Sequence, residues 1–162
     1  MSTFKAIVAM SQNRAIGKGN ELLWNFKDDL KHFKEKTWNG QVILGRKTWE
    51  GMPSKWLRNR SLWIVTRENK YGWLQASTQN KYFPSTLNIV TDISHLPENN
   101  YWIAGGAEIY SLFLDKITEF YVTLVKETYP EADTFMPEFE HLFSQKETLQ
   151  SFEKYDIVKY IK

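Results

Sequence analysis

The chain has 162 residues, 42% of them hydrophobic, which is enough for one globular domain with a small-molecule cleft and too few for two full domains. Lysine and arginine total 21 against 19 acidic residues, and this net charge of +2 gives little attraction for nucleic acid. Because cysteine is absent, disulfides, thiolate catalysis and zinc–sulfur sites are excluded, and a reducing compartment, by default the cytoplasm, is expected. No signal peptide or membrane-spanning apolar run is recognisable, so we expect a soluble, unprocessed protein.

Six short apolar segments rich in β-branched and aromatic residues predict β-strands. Helical segments at residues 27–37 and 107–114 lie between them, and this alternation predicts an α/β fold. Three strands are continuous apolar runs, as expected when helices cover both faces of a sheet. We therefore predict a single domain over residues 1–162 with a central, mostly parallel twisted sheet, helices on both faces and, at residues 152–161, an antiparallel C-terminal edge strand. The six strands are residues 4–10, 41–44, 61–66, 87–90, 101–104 and 120–125.

The first predicted helix carries a carboxylate next to its apolar face. At 100° per residue, Phe26, Leu30 and Phe33 share one face, and Asp29 falls about 60° from Phe26 on that side, whereas Asp28 points to water. A carboxylate in such a place needs a partner, because an unpaired buried charge is costly. Two interpretations remain open: Asp29 binds paired N–H donors of a ligand, or it stabilises the first turn of the helix.

Three predicted strands end in glycines, cations or hydroxyls. Gly45-Arg46-Lys47-Thr48 follows one strand, where backbone N–H groups and two cations can attract a phosphate, although by itself this motif is better explained as a turn with solvated cations. Thr66-Arg67 and Gly105-Gly106-Ala107 follow two others. Since ligands bind at the carboxyl ends of strands in open α/β sheets, the three ends together indicate a pyrophosphate-bearing cofactor. Neither a Rossmann fingerprint nor a P-loop is present.

Other chemistries find little support in the sequence. His32, His95 and His141 lack metal-ligand spacing, and His32 is predicted on the solvent side of its helix, so no metal site is expected. There is no G-x-S-x-G elbow for acyl transfer. A single-stranded nucleic-acid-binding module would need aromatic residues interleaved with a basic groove, and Trp73 with Lys70 gives only a fragment of one.

The motifs resemble, in order and spacing, those of the dihydrofolate reductases over essentially the whole chain. The spacing from glycine to tryptophan to aspartate is specific to that family. The motifs are VAMSQNRAIG at residues 8–17, Leu22-Leu23-Trp24, Asp29 to Lys34, GRKTWE at 45–50, Arg60, Thr66-Arg67, GGAEIY at 105–110, Thr123 and ADTFMP at 132–137.

The resemblance implies reduction of 7,8-dihydrofolate to 5,6,7,8-tetrahydrofolate by hydride transfer from NADPH, in support of one-carbon metabolism and nucleotide synthesis. It also implies antifolate binding. A monomer is expected by default, and the charge balance and the lack of a long apolar run predict neither a nucleic-acid nor a membrane partner. Asp29 would hold the 2-amino group and N3 of the pterin, and N5 would take a proton from a water admitted by the loop over residues 16–24. The implied catalytic group is Leu22, Trp24, Asp29 and Thr123.

The resemblance also implies two binding sites. Arg60 would pair with the glutamate α-carboxylate of the substrate, and Arg46, Thr66 and Arg67 would receive the cofactor's 2′-phosphate, which predicts NADPH over NADH. The family has a cis link between the paired glycines. The implied substrate site is Ile7, Val8, Asp29, Leu30, Phe33, Met52, Leu57, Arg60, Ala104, Tyr110 and Thr123. The implied cofactor site is Ala9, Ile16, Gly17, Gly45, Arg46, Lys47, Thr48, Thr66, Arg67, Ala104, Gly105, Gly106, Ala107, Glu108, Ile109 and Tyr110.

The chain departs from the family pattern at several places. Leu23 precedes Trp24 where a proline is usual, Arg58 replaces another proline, and Gly51 stands where serine is frequent. The polar excursion at residues 68–88 is longer than expected, and the helix at 92–96 is short. The enzymatic alternative is another pterin or pyrimidine reductase, such as the deaminated-riboflavin-precursor reductases, which lack the tryptophan-to-aspartate arrangement.

Overall fold

The structure, a computed structural model, describes residues 1–19, 23, 27–67 and 86–162. Its centre is an eight-stranded sheet in the order β5-β4-β3-β6-β1-β7-β10-β9, and β2 pairs with β8 in a separate two-stranded sheet. The strands are β1 (Thr3–Ser11), β2 (Ala15–Gly17), β3 (Gln41–Gly45), β4 (Ser61–Val65), β5 (Thr86–Val90), β6 (Asn100–Ile103), β7 (Ile117–Val125), β8 (Thr134–Phe135), β9 (Gln145–Ser151) and β10 (Tyr155–Ile161). The helices are α1 (Lys27–Thr37), α2 (Arg46–Gly51) and α3 (Ala107–Phe113), with short 3₁₀ turns at Ser54–Leu57, Ile93–His95 and Glu140–Leu142.

Strand β3 shows that both faces of the sheet are covered. Val42, Ile43 and Leu44 are consecutive and all fully buried, although consecutive strand residues point to opposite faces. Ile43 belongs to the core that contains Phe113 of α3, whereas Val42 and Leu44 belong to a second core that contains Leu57. The predicted α/β fold is therefore confirmed, and its buried parallel strands read as continuous apolar runs for the expected reason.

The C-terminal edge contains one strand more than the sequence indicated. The six predicted strands are present, and the seventh is β10, antiparallel to β7. However, β10 is not the last strand, because β9 pairs with it on the outside. All seven residues of β9 are exposed, so the segment QKETLQS lacks the alternation that marks a half-buried strand. Its charged side chains are typical of a protected edge.

The prediction for His32 is wrong. Its side chain is only partly exposed, its Nε2 is buried without a hydrogen-bond partner, and its ring lies 6.1 Å from that of Tyr121 on β7. Burial lowers the pKa of His32, and the charge of Lys36 lowers it further. The helical wheel considers only the residues of α1. In the structure, the sheet also covers part of the helix surface outside its apolar face, and His32 lies there.

The carboxyl ends of four adjacent parallel strands meet at one edge of the sheet. β4, β3, β6 and β1 are consecutive neighbours, and all their pairings are parallel. The N–H of Gly45, at the end of β3, donates a 2.7 Å hydrogen bond to the carbonyl of Gly105 just after β6. This edge is where an α/β sheet binds its ligands. Within the described residues, no helix is long and apolar enough to cross a membrane.

Candidate active site

A cleft of about 700 Å³ opens at this edge, between α1, α2 and the ends of β1 and β6. It is large enough for a drug-sized ligand. Most of its wall is apolar, with one carboxylate, three hydroxyl side chains and glycine backbone among the described lining groups. The lining residues are Ile7, Val8, Ala9, Ile16, Gly17, Leu23, Asp29, Leu30, Phe33, Thr48, Gly51, Met52, Pro53, Trp56, Ala104, Gly105, Gly106, Tyr110 and Thr134.

The one carboxylate in the wall is that of Asp29. It lies in the first turn of α1, and its Oδ1 accepts a 2.6 Å hydrogen bond from the hydroxyl of Thr123 on β7. Thr123 is 1% exposed, so the strand holds this hydroxyl in place. Burial raises the pKa of Asp29, and the bond from Thr123 opposes that rise by favouring the ionised form.

The neighbouring aspartate has a different environment, as the helical wheel predicted. Asp28 is exposed, and its Oδ2 accepts a 3.3 Å hydrogen bond from the Tyr155 hydroxyl. Tyr155 is itself buried, and desolvation, with the nearby charge of Asp28, raises the pKa of its hydroxyl to about 12. Only Asp29 of the pair faces the cleft.

The floor of the cleft is a glycine pair. The peptide bond between Gly105 and Gly106 is cis, as the resemblance implied, and Gly105 has a φ of 117°, which favours glycine. A Cβ on Gly106 would lie 2.9 Å from the Thr48 Oγ1, and one on Gly45 would lie 3.0 Å from Ile109 Cγ1. Backbone groups therefore form this part of the wall, and a side chain at Gly45 or Gly106 would require its neighbour to shift.

Comparison with known proteins accounts for this arrangement. The family model described as dihydrofolate reductase matches residues 3–160. The chain belongs to the dihydrofolate reductase family. It is 35% identical over 136 residues to the dihydrofolate reductase of Buchnera aphidicola subsp. Baizongia pistaciae, covering 84% of this chain and 78% of that protein. It is 31% identical over 144 residues to the type 1 dihydrofolate reductase of Escherichia coli, covering 86% and 87%.

A solved structure of the family has the same fold. The dihydrofolate reductase from Enterococcus faecalis, complexed with NADP(H) and RAB-propyl, matches with a TM-score of 0.75 and 26% identity, covering 98% of this chain and 95% of that one.

Within this family member, the cleft brings together half of the residues that the sequence singled out. Eight of the residues predicted for the substrate line the wall, as do several predicted for the cofactor. The predicted residues that line it are Ile7, Val8, Ala9, Ile16, Gly17, Asp29, Leu30, Phe33, Thr48, Met52, Ala104, Gly105, Gly106 and Tyr110.

Other predicted residues lie behind or beside the wall. Thr123 is connected to the wall by its bond to Asp29, and Leu57 is buried in the second core. The predicted cofactor residues outside the cleft are Gly45, Arg46, Lys47, Thr66, Arg67, Ala107, Glu108 and Ile109. Leu22 and Trp24, with residues 20 and 21 of the predicted gating loop, lie outside the described residues, as do residues 68–85 of the long excursion.

Arg60 is 2% exposed and held by three acceptors. Its Nε donates to the Thr37 hydroxyl at 3.1 Å, while Nη1 and Nη2 each donate at 2.5 Å to the carbonyls of Arg58 and Lys34. The ring of Trp38 lies 5.3 Å from the guanidinium carbon. A guanidinium has five N–H donors, so one donor on each terminal nitrogen remains for a ligand.

Five lining residues were not predicted for the site. Leu23 and Thr134 had been quoted only within family motifs, Leu23 and Gly51 as departures from the family, and Pro53 and Trp56 had not been noted. Trp56 is the most informative, since its indole Nε1 is buried without a hydrogen-bond partner among the described residues. A tryptophan in the mostly polar segment SKWLRNR was a signal that could have found it.

One side of the cleft is closed by the small sheet of β2 and β8. The N–H of Asp133 donates to the carbonyl of Gly17 at 3.2 Å, and its Oδ2 accepts a 2.9 Å hydrogen bond from the N–H of Gly19. Arg14 fixes the same turn through Glu140 at 2.6 Å and the carbonyl of Met136 at 3.0 Å. The segment that contributes Ile16 and Gly17 to the wall is thus tied down from outside the cleft.

Proposed function

We propose that this chain reduces 7,8-dihydrofolate to 5,6,7,8-tetrahydrofolate with NADPH, and that Asp29 holds the pterin ring. The observation that carries the proposal is the Asp29–Thr123 pair, a partly buried carboxylate fixed at 2.6 Å on the wall of an apolar cleft. In a purely structural role the carboxylate would turn to water or to a cation. Here it faces a cavity that a flat heterocycle can fill.

The carboxylate has the capacity for that ligand. Thr123 donates to Oδ1 only, and an ionised carboxylate accepts up to about four hydrogen bonds. Oδ2 and a second lone pair on Oδ1 therefore remain for two parallel N–H donors, such as the 2-amino group and N3 of a pterin. Such a bidentate, charge-assisted pair fixes the orientation of the ring as well as its position.

The edge beside Asp29 fits a dinucleotide. Gly17, Gly105 and Gly106 contribute backbone to the wall, and a side chain at Gly45 or Gly106 would press against Ile109 or Thr48. Arg46 and Arg67 follow the neighbouring ends of β3 and β4 and supply positive charge for phosphates. When bound, NADPH supplies the hydride. The chain's residues orient the two ligands and keep bulk water from the reacting ring.

The remaining proposed roles concern the rings and the glutamate tail of the substrate. The apolar side chains of Leu30, Phe33 and Met52 cover the rings of the substrate. At the far end of α1, the two free N–H donors of Arg60 would pair with the α-carboxylate of its glutamate tail. Because Arg60 is already desolvated and fixed by three protein acceptors, little side-chain entropy remains to be lost on binding.

Asp29 need not deliver the proton itself. Its charge stabilises the protonated pterin, and a water that reaches N5 would donate the proton, with entry governed by the segment that begins at Ile16 and Gly17. Leu22 and Trp24 remain predicted members of this group. The monomeric state and the cytoplasmic location also remain predictions, and sedimentation of the purified protein would check the first.

The proposal is tested by following NADPH absorbance after dihydrofolate is added. We expect turnover by the wild-type protein, and a loss of about 100-fold or more in kcat/KM for Asp29→Asn at neutral pH, since the charge that matches the pterin is gone. Asp28→Asn removes the same charge one residue away, on the exposed side, and should stay within about twofold. No turnover by folded wild-type protein would overturn the function, and equal losses in the two variants would overturn the role of Asp29.

A further inference from the structure

An ion pair crosses the edge on which the proposed cofactor site lies. Nη2 of Arg67 is 3.9 Å from Oε2 of Glu108. Arg67 lies just beyond the end of β4, and Glu108 lies in the first turn of α3, which follows β6. Both side chains are about nine-tenths exposed, at 92% and 88%, so burial does not hold them together.

The strand order shows which part of the sheet edge this ion pair crosses. β4 and β6 are not neighbours, because β3 lies between them. The pair therefore spans the carboxyl end of β3, where Gly45 and Arg46 begin α2. A ligand that lies along the ends of β4, β3 and β6 has to pass this point.

The second arginine at this edge also has a carboxylate beside it. Nη1 of Arg46 lies 3.4 Å from Oε2 of Glu50, one turn along α2. That pair stays within one helix and leaves the edge open. The Arg67–Glu108 pair, in contrast, connects two elements across it.

We propose that Glu108 is a specificity-determining residue, which competes with the 2′-phosphate of the cofactor for Arg67 and so limits the preference for NADPH over NADH. The inference rests on the proposed function, because it assigns Arg67 to that phosphate. The resemblance placed Glu108 in the cofactor site. Here its carboxylate instead occupies Arg67 until the cofactor displaces it. A dianionic 2′-phosphate beside Arg67 would be attracted by the guanidinium and repelled by the carboxylate of Glu108. NADH carries no charge at that position, so neither interaction affects its binding.

The size of the effect follows from exposure. Ion pairs between solvent-exposed groups are weak and screened by salt, so removing Glu108 should tighten 2′-phosphate binding by about threefold to fivefold at low ionic strength. The gain should shrink at high salt. A buried, structural ion pair would behave differently, since its loss would lower stability and would depend little on salt.

The test uses two probes that differ by the one phosphate, 2′,5′-ADP and 5′-AMP, in calorimetric titrations of the full-length protein. Glu108→Gln should bind 2′,5′-ADP about threefold to fivefold more tightly than wild type, with the affinity for 5′-AMP unchanged. KM for NADPH should fall in parallel, and KM for NADH should not. Glu147→Gln, which removes one exposed carboxylate from β9 at the other side of the sheet, serves as the control for net charge and should change neither probe.

A double-mutant cycle locates the effect. In an Arg67→Ala background the Glu108→Gln gain should vanish, because the competition requires the arginine. A gain that persists there, or one that is equal for 2′,5′-ADP and 5′-AMP, overturns the inference while leaving the enzyme function intact. If wild type binds both probes equally, the 2′-phosphate site itself is wrong and the inference falls with it. Dihydrofolate reduction, measured separately, decides the proposed function.

Discussion

At the scale of single residues, burial and hydrogen bonding oppose each other at Asp29, the residue that we propose holds the pterin. Desolvation in the wall of the cleft raises its pKa, and the hydroxyl of Thr123 limits that rise. Asp28, next to it in sequence, is exposed and bonded to Tyr155. Two identical side chains on adjacent positions of α1 thus differ in function because the helix turns by about 100° between them.

Thr123→Val is predicted to move the acid limb of the activity profile. The ionised form of Asp29 is the one that pairs with the pterin, so kcat/KM for dihydrofolate falls as the pH drops through the pKa of Asp29 in the free enzyme. Valine removes the hydrogen bond that favours ionisation, so that pKa rises further and the limb shifts to higher pH. The measurement is kcat/KM across the acid range. Thr118→Val, at an exposed threonine of the same strand, should leave the limb in place; an unmoved limb in Thr123→Val contradicts the prediction.

At the scale of elements, the small sheet of β2 and β8 controls one wall of the cleft from a distance. Neither strand is longer than three residues, which is too short to be stable on its own. It is held by Asp133, which binds Gly17 through its backbone N–H and Gly19 through its carboxylate, and by the contacts of Arg14. Hydrogen bonds of side chains therefore stabilise this small sheet, whereas strand length stabilises the main sheet.

Asp133→Ala is predicted to loosen this wall without unfolding the protein. The backbone bond to Gly17 survives the substitution, while the bond to the N–H of Gly19 is lost, which corresponds to about 1 kcal/mol. Hydrogen exchange at the Gly19 amide should become about fivefold faster. Asp92→Ala is a matched control in another part of the protein. Asp92 likewise accepts a hydrogen bond from a backbone N–H, that of Ser94, and a second one from the Ser94 hydroxyl. If exchange at Gly19 responds equally to both variants, or to neither, Asp133 does not hold the segment.

At the scale of the whole molecule, the sheet separates two cores and sets the cleft at one end of both. Ile43 and Leu44 are neighbours on β3, both fully buried, yet they belong to different cores. Towards the other side, β10 and β9 continue the sheet past β7, and burial decreases until every residue of β9 is exposed. The strand β3, which carries part of the site, is therefore covered on both faces, whereas the outer edge formed by β9 is exposed.

Alanine substitutions on β3 are predicted to be equally damaging on either side of the sheet. Ile43→Ala and Leu44→Ala should each lower the free energy of unfolding by about 2 to 5 kcal/mol, because each leaves a cavity in a packed core. Leu149→Ala on β9, where the side chain is 37% exposed, should cost less than about 0.5 kcal/mol. Denaturant unfolding monitored by circular dichroism gives all three values. A small loss for either β3 variant would mean that its face of the sheet is not closed.

The sequence by itself determined the α/β class, the parallel strands of the centre and the glycine and aspartate positions of the cleft. These features come from local patterns: continuous apolar runs mark doubly covered strands, and a helical wheel separates Asp29 from Asp28. Only the tertiary structure decided the rest. β9 has no alternating pattern because all of its residues are exposed, the ring of His32 lies beside Tyr121 of a strand remote in sequence, and Trp56 reaches the cleft through a turn whose Leu57 shares a core with β3. Thr123 met Asp29, and Arg67 met Glu108, only when non-adjacent elements came together, because a hydrogen bond or an ion pair depends on distance in space and not on spacing along the chain.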